Sequence, residues 1–107
     1  MTTVDNEQVH KQPVTRLLLR LRERRADLVK RYHIHELGVF GSYVRNEQRP
    51  DSDIDLLVSF TQTPSLLTLV QLEDELSELL GVRVDLAVKS ALRPRIAEHV
   101  LHEVVPV

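Results

Sequence analysis

The sequence predicts a small α/β domain of the α+β type, in which a three-stranded mixed sheet is flanked by about four helices. Apolar residues recur at three- and four-residue spacing over residues 13–32 and 66–80, the period of a helix with one buried face. Three other segments, residues 36–41, 53–60 and 82–88, have the length and composition of strands. The succession of these helices and strands therefore indicates one layered domain.

Length and composition set the expected organisation of the chain. The 107 residues suffice for one small domain, which we expect over residues 13–107, preceded by a flexible tail at residues 1–12. We expect no separate substrate-recognition domain in a chain of this length, so a partner is expected to hold whatever substrate the chain acts on. Hydrophobic residues make up 42% of the chain and aromatic residues only 4%, which predicts a core of Leu, Val and Ile.

Charge and targeting signals narrow the class of protein. The net charge of −2 gives no global reason to expect direct nucleic-acid binding or an anionic membrane partner. There is no cysteine, no secretory leader pattern and no apolar run near the ~20 residues that span a bilayer. These features predict a cytoplasmic protein without disulfides.

The first helix is expected from Pro13 to Tyr32 because its apolar residues follow the helical period. Its other faces are rich in basic residues, opposed only by Glu23 and Asp27. This surface is either a solvated face whose arginine stems cover apolar groups or a docking surface for an acidic partner. The basic residues are Arg16, Arg20, Arg22, Arg24, Arg25, Lys30 and Arg31.

The next two strands, residues 36–41 and 53–60, are joined by a short helix or turn that starts at Gly41-Ser42. Arg49-Pro50-Asp51 is a turn sequence that reverses the chain, so the two strands are expected to pair antiparallel.

The second helix is expected to begin with Thr63 as its cap and Pro64 in its first turn, and to end at Gly81. Its apolar stripe is expected to include Leu66 and Val70. A strand over residues 82–88 then follows and should run parallel to the second strand, because a helix connects them. The last helix is expected over about Ala91 to Glu103, capped by Ser90.

Asp53 and Asp55 begin the second strand and lie on the same face, because side chains alternate along a strand. Neighbouring carboxylates repel each other, and a hard divalent cation such as Mg²⁺ would relieve that repulsion. The alternative interpretation is that these aspartates are ordinary turn and strand-entry residues exposed to solvent. The glycine of Gly41-Ser42 lets a backbone approach an anion closely. An anion site that faces a cation site favours a nucleoside triphosphate with its metal as the ligand.

Gly41-Ser42, a spacer of ten residues and then Asp53-x-Asp55 resemble the signature of the polymerase-beta-like nucleotidyltransferases, specifically of their minimal branch. The resemblance extends to the Arg93-Pro94-Arg95 segment and the Val105-Pro106 tail.

The chain departs from the usual form of this signature at two positions. Val44 and Asn46 stand where Ala and Gly are commoner in the family. Asn tolerates the left-handed conformation better than most residues do, so the turn is expected to persist.

The resemblance implies a site for two Mg²⁺ ions, with Asp53 and Asp55 bridging them. Asp85 would complete the coordination of the ion nearest the acceptor and help to receive its proton. Gly41 and Ser42 would bind the beta- and gamma-phosphates of ATP. Arg45 would add positive charge to the phosphate site or form a structural salt bridge.

The resemblance also implies a biological role. Members of the minimal branch are commonly paired with a HEPN ribonuclease toxin, and they transfer AMP from ATP to a tyrosine of that toxin. The expected assembly is a hetero-oligomeric complex with such a toxin. Two alternatives remain: a non-catalytic antitoxin that acts by occlusion, and nucleotidyl transfer to a small molecule such as an aminoglycoside.

Overall fold

A computed structural model describes residues 13–107, and the tail predicted for residues 1–12 lies outside the described residues. The 3-10 turns Gly41–Tyr43 and Lys89–Ala91 accompany the longer elements. The helices are α1 (Val14–Tyr32), α2 (Leu66–Leu80) and α3 (Pro94–Glu103), and the strands are β1 (Ile34–Phe40), β2 (Ile54–Phe60), β3 (Val84–Val88) and β4 (Val105–Pro106).

The sheet has the order β3-β2-β1-β4. β1 pairs antiparallel with β2, and β2 pairs parallel with β3, which confirms both predicted pairings and the mixed α/β class. The predicted counts need correction, because the residues described form four strands and three α-helices, with two 3-10 turns in addition.

The unpredicted strand β4 is only two residues long, too short to show an alternating pattern. Its residues pair antiparallel with Gly38 and Val39, and the N–H of Val107 donates to the carbonyl of Leu37 at 2.9 Å. Pro106 has no N–H to contribute, and the outer position of β4 is one of the few places in a sheet where proline is tolerated. This pairing brings the end of α3 close to the end of β1.

The free edge of β3 is covered by side chains of α2. The N–H of Val84 donates to Ser77 Oγ at 3.0 Å, and the N–H of Leu86 donates to Glu73 Oε2 at 3.0 Å. β3 is a terminal strand of the sheet, so these contacts satisfy donors that would otherwise be open to a further strand.

The core forms where α1 and α2 pack on the sheet. The predicted apolar face of α1 is buried, but the predicted stripe of α2 is only partly so: Leu66 is 77% exposed and Val70 46% exposed. The buried residues of α1 and α2 are Leu17, Leu18, Leu21, Leu28, Leu72, Leu76 and Leu80.

No helix within residues 13–107 is long and apolar enough to cross a membrane.

Two predicted helix starts are wrong. Ser65, not Thr63, caps α2, and its Oγ accepts from the N–H of Thr68 at 3.1 Å. The last helix begins at Pro94 instead of Ala91, because the residue before a proline is disfavoured in the helical conformation, and Arg93 is indeed extended with ψ of 145°. Gly81 ends α2 in the left-handed conformation, as predicted.

The basic surface of α1 is divided between structural and unpaired residues. Arg20 donates to the carbonyl of Leu80, Arg22 donates to the carbonyl of Pro106, and Arg31 pairs with Asp27 and Glu75. The side chains of Arg16, Arg24, Arg25 and Lys30 make no hydrogen bond or ion pair with any residue in the 13–107 range.

The close contact between β1 and β4 gives a test of the fold. A Cβ at Gly38 would lie 2.5 Å from Val104 Cγ2 and 3.1 Å from the carbonyl oxygen of Val105. Gly38→Ala is therefore expected to lower the free energy of unfolding by about 1–3 kcal/mol, as overpacking does. Urea denaturation measures this loss.

Val104→Ala provides the matched control for Gly38→Ala. It should cost stability in the wild type but recover part of the loss in the Gly38→Ala background, because it removes the clashing methyl group. An equal cost in both backgrounds would contradict the proposed contact.

Candidate active site

The three carboxylates predicted to form the site converge at one end of the sheet. Asp55 on β2 lies in register with Asp85 on the parallel strand β3. Asp53 precedes β2 by one residue and, together with Asp85, lines a cleft of about 650 Å³. The structure thus brings together residues that are 30 and more positions apart in the sequence.

This arrangement perturbs the ionisation of Asp55. Partial burial raises the pKa of Asp55, and the negative charges of Asp85 and Asp53 raise it further. The guanidinium group of Arg45 opposes the change, but the pKa of Asp55 stays above its ordinary value. A cation between these carboxylates would remove the repulsion, so the cluster favours binding of a positive ion.

The predicted glycine turn lies directly against Asp55. Gly41 has φ of +80°, and a Cβ there would lie 2.1 Å from Oδ2 of Asp55. Only glycine allows both this backbone conformation and this approach. The backbone of the turn and the carboxylates therefore border the same space.

Asn46 and Tyr43 hold the remainder of the turn in place. Asn46 has φ of +57°, which confirms that asparagine takes the left-handed position in place of glycine. Tyr43 is buried, and its hydroxyl donates to the carbonyl of Ser52 at 3.4 Å. This contact ties the turn to the loop that leads into β2.

The predicted phosphate-binding residues differ in their surroundings. Ser42 is half-buried, and its carbonyl accepts from the N–H of Glu47 at 2.8 Å. Arg45 donates to Glu47 at 2.8 Å and to both oxygens of Glu103, at 2.9 Å and 3.0 Å. The salt-bridge interpretation of Arg45 is thus observed, while its side chain remains 45% exposed and accessible to a ligand.

Glu103 also borders the site, although nothing in the sequence pattern points to it. This last residue of α3 accepts a hydrogen bond from the N–H of Gly41 at 2.7 Å, across 62 positions of sequence. Burial by itself raises the pKa of Glu103, but the hydrogen bonds from Gly41 and Arg45 outweigh it and hold the pKa below its ordinary value. No spacing rule signals this contact, because it depends on the pairing of β4 with β1.

The donor set of the cluster suits Mg²⁺. Carboxylate oxygens are its preferred protein ligands, and Mg²⁺ commonly uses one or two of them together with water and substrate phosphates. Within residues 13–107, no three His, Cys, Asp or Glu side chains already form a group able to hold a metal ion. Asp55 and Asp85 in register, with Asp53 nearby, therefore suit an ion whose remaining ligands come from outside the chain.

Because the negative charges of Asp53 and Asp85 act on Asp55, the stability of the domain is expected to depend on pH. The pKa of Asp55 is raised in the folded protein, so ionisation of Asp55 destabilises the fold. The contribution of this carboxyl group to stability is fully present below its unfolded pKa, about 3.9, and is lost as pH rises through its folded pKa. In metal-free buffer at pH 7, Asp55→Asn is expected to raise the melting temperature by a few degrees. This gain should vanish toward pH 3.5.

Asp51→Asn is the control for Asp55→Asn. It removes the same charge from an exposed turn position, and it should leave the melting temperature nearly unchanged. A melting temperature of Asp55→Asn at or below that of the wild type at pH 7 would contradict the electrostatic account.

Comparison with known proteins identifies the family. The profile of the nucleotidyltransferase domain matches residues 18–106. The protein adenylyltransferase MntA of Thermococcus cleftensis is 54% identical over 79 residues, which are 74% of this chain and 80% of that protein. A relative from Methanocaldococcus jannaschii, provisionally named protein adenylyltransferase MJ0128, is 48% identical over 73 residues, 68% of this chain and 74% of its own length.

Solved structures share the fold. One assigned to the minimal nucleotidyltransferases is 42% identical, with a TM-score of 0.71 over 85% of this chain and 95% of its own. A toxin–antitoxin structure with AMP-PNP has the same fold at 22% identity, with a TM-score of 0.67 over 78% of this chain and 69% of its own. The matched profile and the closely similar relatives establish that this chain belongs to the nucleotidyltransferase family, in its minimal branch.

Proposed function

We propose that this chain is an antitoxin and a Mg²⁺-dependent protein adenylyltransferase, which transfers AMP from ATP to a tyrosine of a HEPN ribonuclease toxin and so neutralises it. The observation that carries the proposal is the register of Asp55 with Asp85 beside the Gly41 turn. The 54% identity to a protein adenylyltransferase supports a protein as the acceptor.

The Gly41-Ser42 turn and Arg45 bind the triphosphate in this proposal. The absence of a side chain at Gly41 lets the phosphates approach the backbone N–H groups, and Arg45 adds a positive charge from the next turn. These contacts hold the beta- and gamma-phosphates, which leave together as pyrophosphate. The alpha-phosphorus is thereby directed toward the carboxylate cluster.

Asp53, Asp55 and Asp85 are the residues that would hold two Mg²⁺ ions. When bound, such ions neutralise phosphate charge and lower the pKa of an attacking hydroxyl group. The three carboxylates contribute negative charge from fixed strand positions, so they set where the cations sit relative to the phosphates. The raised pKa of Asp55 would fall again with the repulsion relieved.

The transfer step forms one bond and breaks one. The tyrosine oxygen bonds to the alpha-phosphorus of ATP while the bond from that phosphorus to the bridging oxygen breaks, and pyrophosphate leaves. Asp85 is exposed at the cleft, where it can orient the tyrosine hydroxyl and receive its proton. The toxin keeps the tyrosine–phosphate linkage to AMP.

The cleft gives the acceptor a route to the site. It is lined by Asp53, Asp85 and residues of α2, and its volume of about 650 Å³ admits a tyrosine side chain. A tyrosine modified in this way carries a bulky anion, which would repel RNA phosphates from the toxin. The pair forms a hetero-oligomer and acts in the cytoplasm, where the toxin meets its RNA substrates.

A direct test uses the purified chain, its cognate toxin, ATP and Mg²⁺. Mass spectrometry is expected to show AMP added to a toxin tyrosine, with loss of ribonuclease activity. Asp53→Asn should reduce the transfer rate by about 100-fold or more, because it removes a ligand of the cations. Asp51→Asn, which removes an exposed charge two positions earlier, should transfer AMP at the wild-type rate.

The same experiment distinguishes the alternatives. Neutralisation of the toxin without any change in mass, or equally by the Asp53→Asn protein, would replace this proposal with a non-catalytic antitoxin that acts by occlusion. AMP transfer to an aminoglycoside but not to the toxin would assign a small-molecule acceptor instead.

The unpaired basic residues of α1 give a second test, of toxin docking. Arg20 is unsuited to it because its guanidinium is bound to the carbonyl of Leu80. Replacing both Arg24 and Arg25 with Glu should slow association about 10-fold at low salt and weaken its dependence on ionic strength. The matched reversal of Arg93 and Arg95, at the start of α3, should leave the association rate unchanged in stopped-flow measurements.

A further inference from the structure

The carboxylate of Glu103 is bound to the donors that the proposed function assigns to phosphate. Its Oε1 lies 2.7 Å from the N–H nitrogen of Gly41 and 3.0 Å from Nη1 of Arg45, and its Oε2 lies 2.9 Å from the same Nη1. The distances are those of charge-assisted hydrogen bonds. Glu103 thus supplies an anion to a site built for anions.

One donor cannot serve two anions fully. The N–H of Gly41 has a single hydrogen, and Nη1 and Nε of Arg45 already donate to Glu103 and Glu47. A phosphate that entered while Glu103 remained in place would also meet its negative charge. The same charge is felt by Asp55, whose pKa it helps to raise.

We propose that Glu103 is a determinant of nucleotide affinity, whose carboxylate occupies a phosphate subsite in the nucleotide-free protein and leaves it when a triphosphate binds. This inference rests on the proposed function only in taking the Gly41–Arg45 donors as the phosphate site. The Glu103 carboxylate closes this site, so the triphosphate must replace the carboxylate when it binds.

The surroundings of Glu103 permit this replacement without unfolding. Glu103 is the last residue of α3, and its side chain is 17% exposed, so a change of rotamer leads to solvent. The backbone beyond it stays fixed, because β4 pairs with β1 and Arg22 donates to the carbonyl of Pro106 at 3.1 Å. Arg45 would then be free to turn from Glu103 to the phosphates.

The test is calorimetric titration of the full chain with Mg-ATP, Mg-ADP, AMP and adenosine. Glu103→Gln keeps the shape of the side chain but removes its charge, so it should tighten binding of ATP and ADP by roughly 3- to 10-fold. Binding of adenosine should not change. The KM for ATP should fall by a larger factor than any change in kcat.

Two further variants make the result specific. Glu98→Gln removes the same charge from an exposed position of α3 that makes no side-chain hydrogen bond within residues 13–107, and it should leave every affinity unchanged. Glu103→Ala removes the carboxylate altogether and should follow Glu103→Gln. Unchanged or weaker ATP binding by both Glu103 variants would overturn the inference and make Glu103 a positioning residue for Arg45.

Inorganic tripolyphosphate separates this inference from the proposed function, because it probes the anion site without adenine or transfer. Tighter tripolyphosphate binding by Glu103→Gln, in a protein that transfers no AMP, would support the subsite and refute the adenylyltransferase. AMP transfer by the wild type, with no gain in tripolyphosphate or ATP affinity in the variant, would refute the subsite alone.

Discussion

The parallel register of β2 and β3 is the constraint on which the site depends. Because Asp55 lies opposite Asp85, two carboxylates are held together by backbone hydrogen bonds and not by their own attraction. The repulsion between these carboxylates is offset by the hydrophobic core, to which the same strands contribute other residues. Ile54 and Val58 of β2, for example, are fully buried. The site and the core therefore share strands but use opposite sides of them.

Much of this arrangement could be predicted from local pattern. Helical and strand periods located α1, β1, β2 and β3, and the Gly41-Ser42 and Asp53-x-Asp55 spacing located the carboxylates and the turn. These features succeed because alternation and helical period are local consequences of burial. The left-handed Asn46 was predictable for the same reason, since it reflects a preference of the residue itself.

The features that escaped prediction are set by distant contacts. β4 has two residues and, within residues 13–107, pairs only with β1, so it is too short for a periodicity that would indicate a strand. Glu103 reaches Gly41 because β4 fixes the end of α3, and nothing in its neighbourhood marks it. Leu66 carries an apolar side chain at a helical spacing, yet it is 77% exposed, because spacing alone does not show which residues a neighbouring element covers.

The side-chain contacts along the edge of β3 bear on how a partner can be recognised. With the N–H groups of Val84 and Leu86 held by Ser77 and Glu73, and Pro106 at the opposite edge, the sheet offers little backbone for strand addition. Recognition of another protein would then rely on side chains at the surface. Such surfaces can be altered one residue at a time, so the recognition of a partner could change while strands β2 and β3 stay the same.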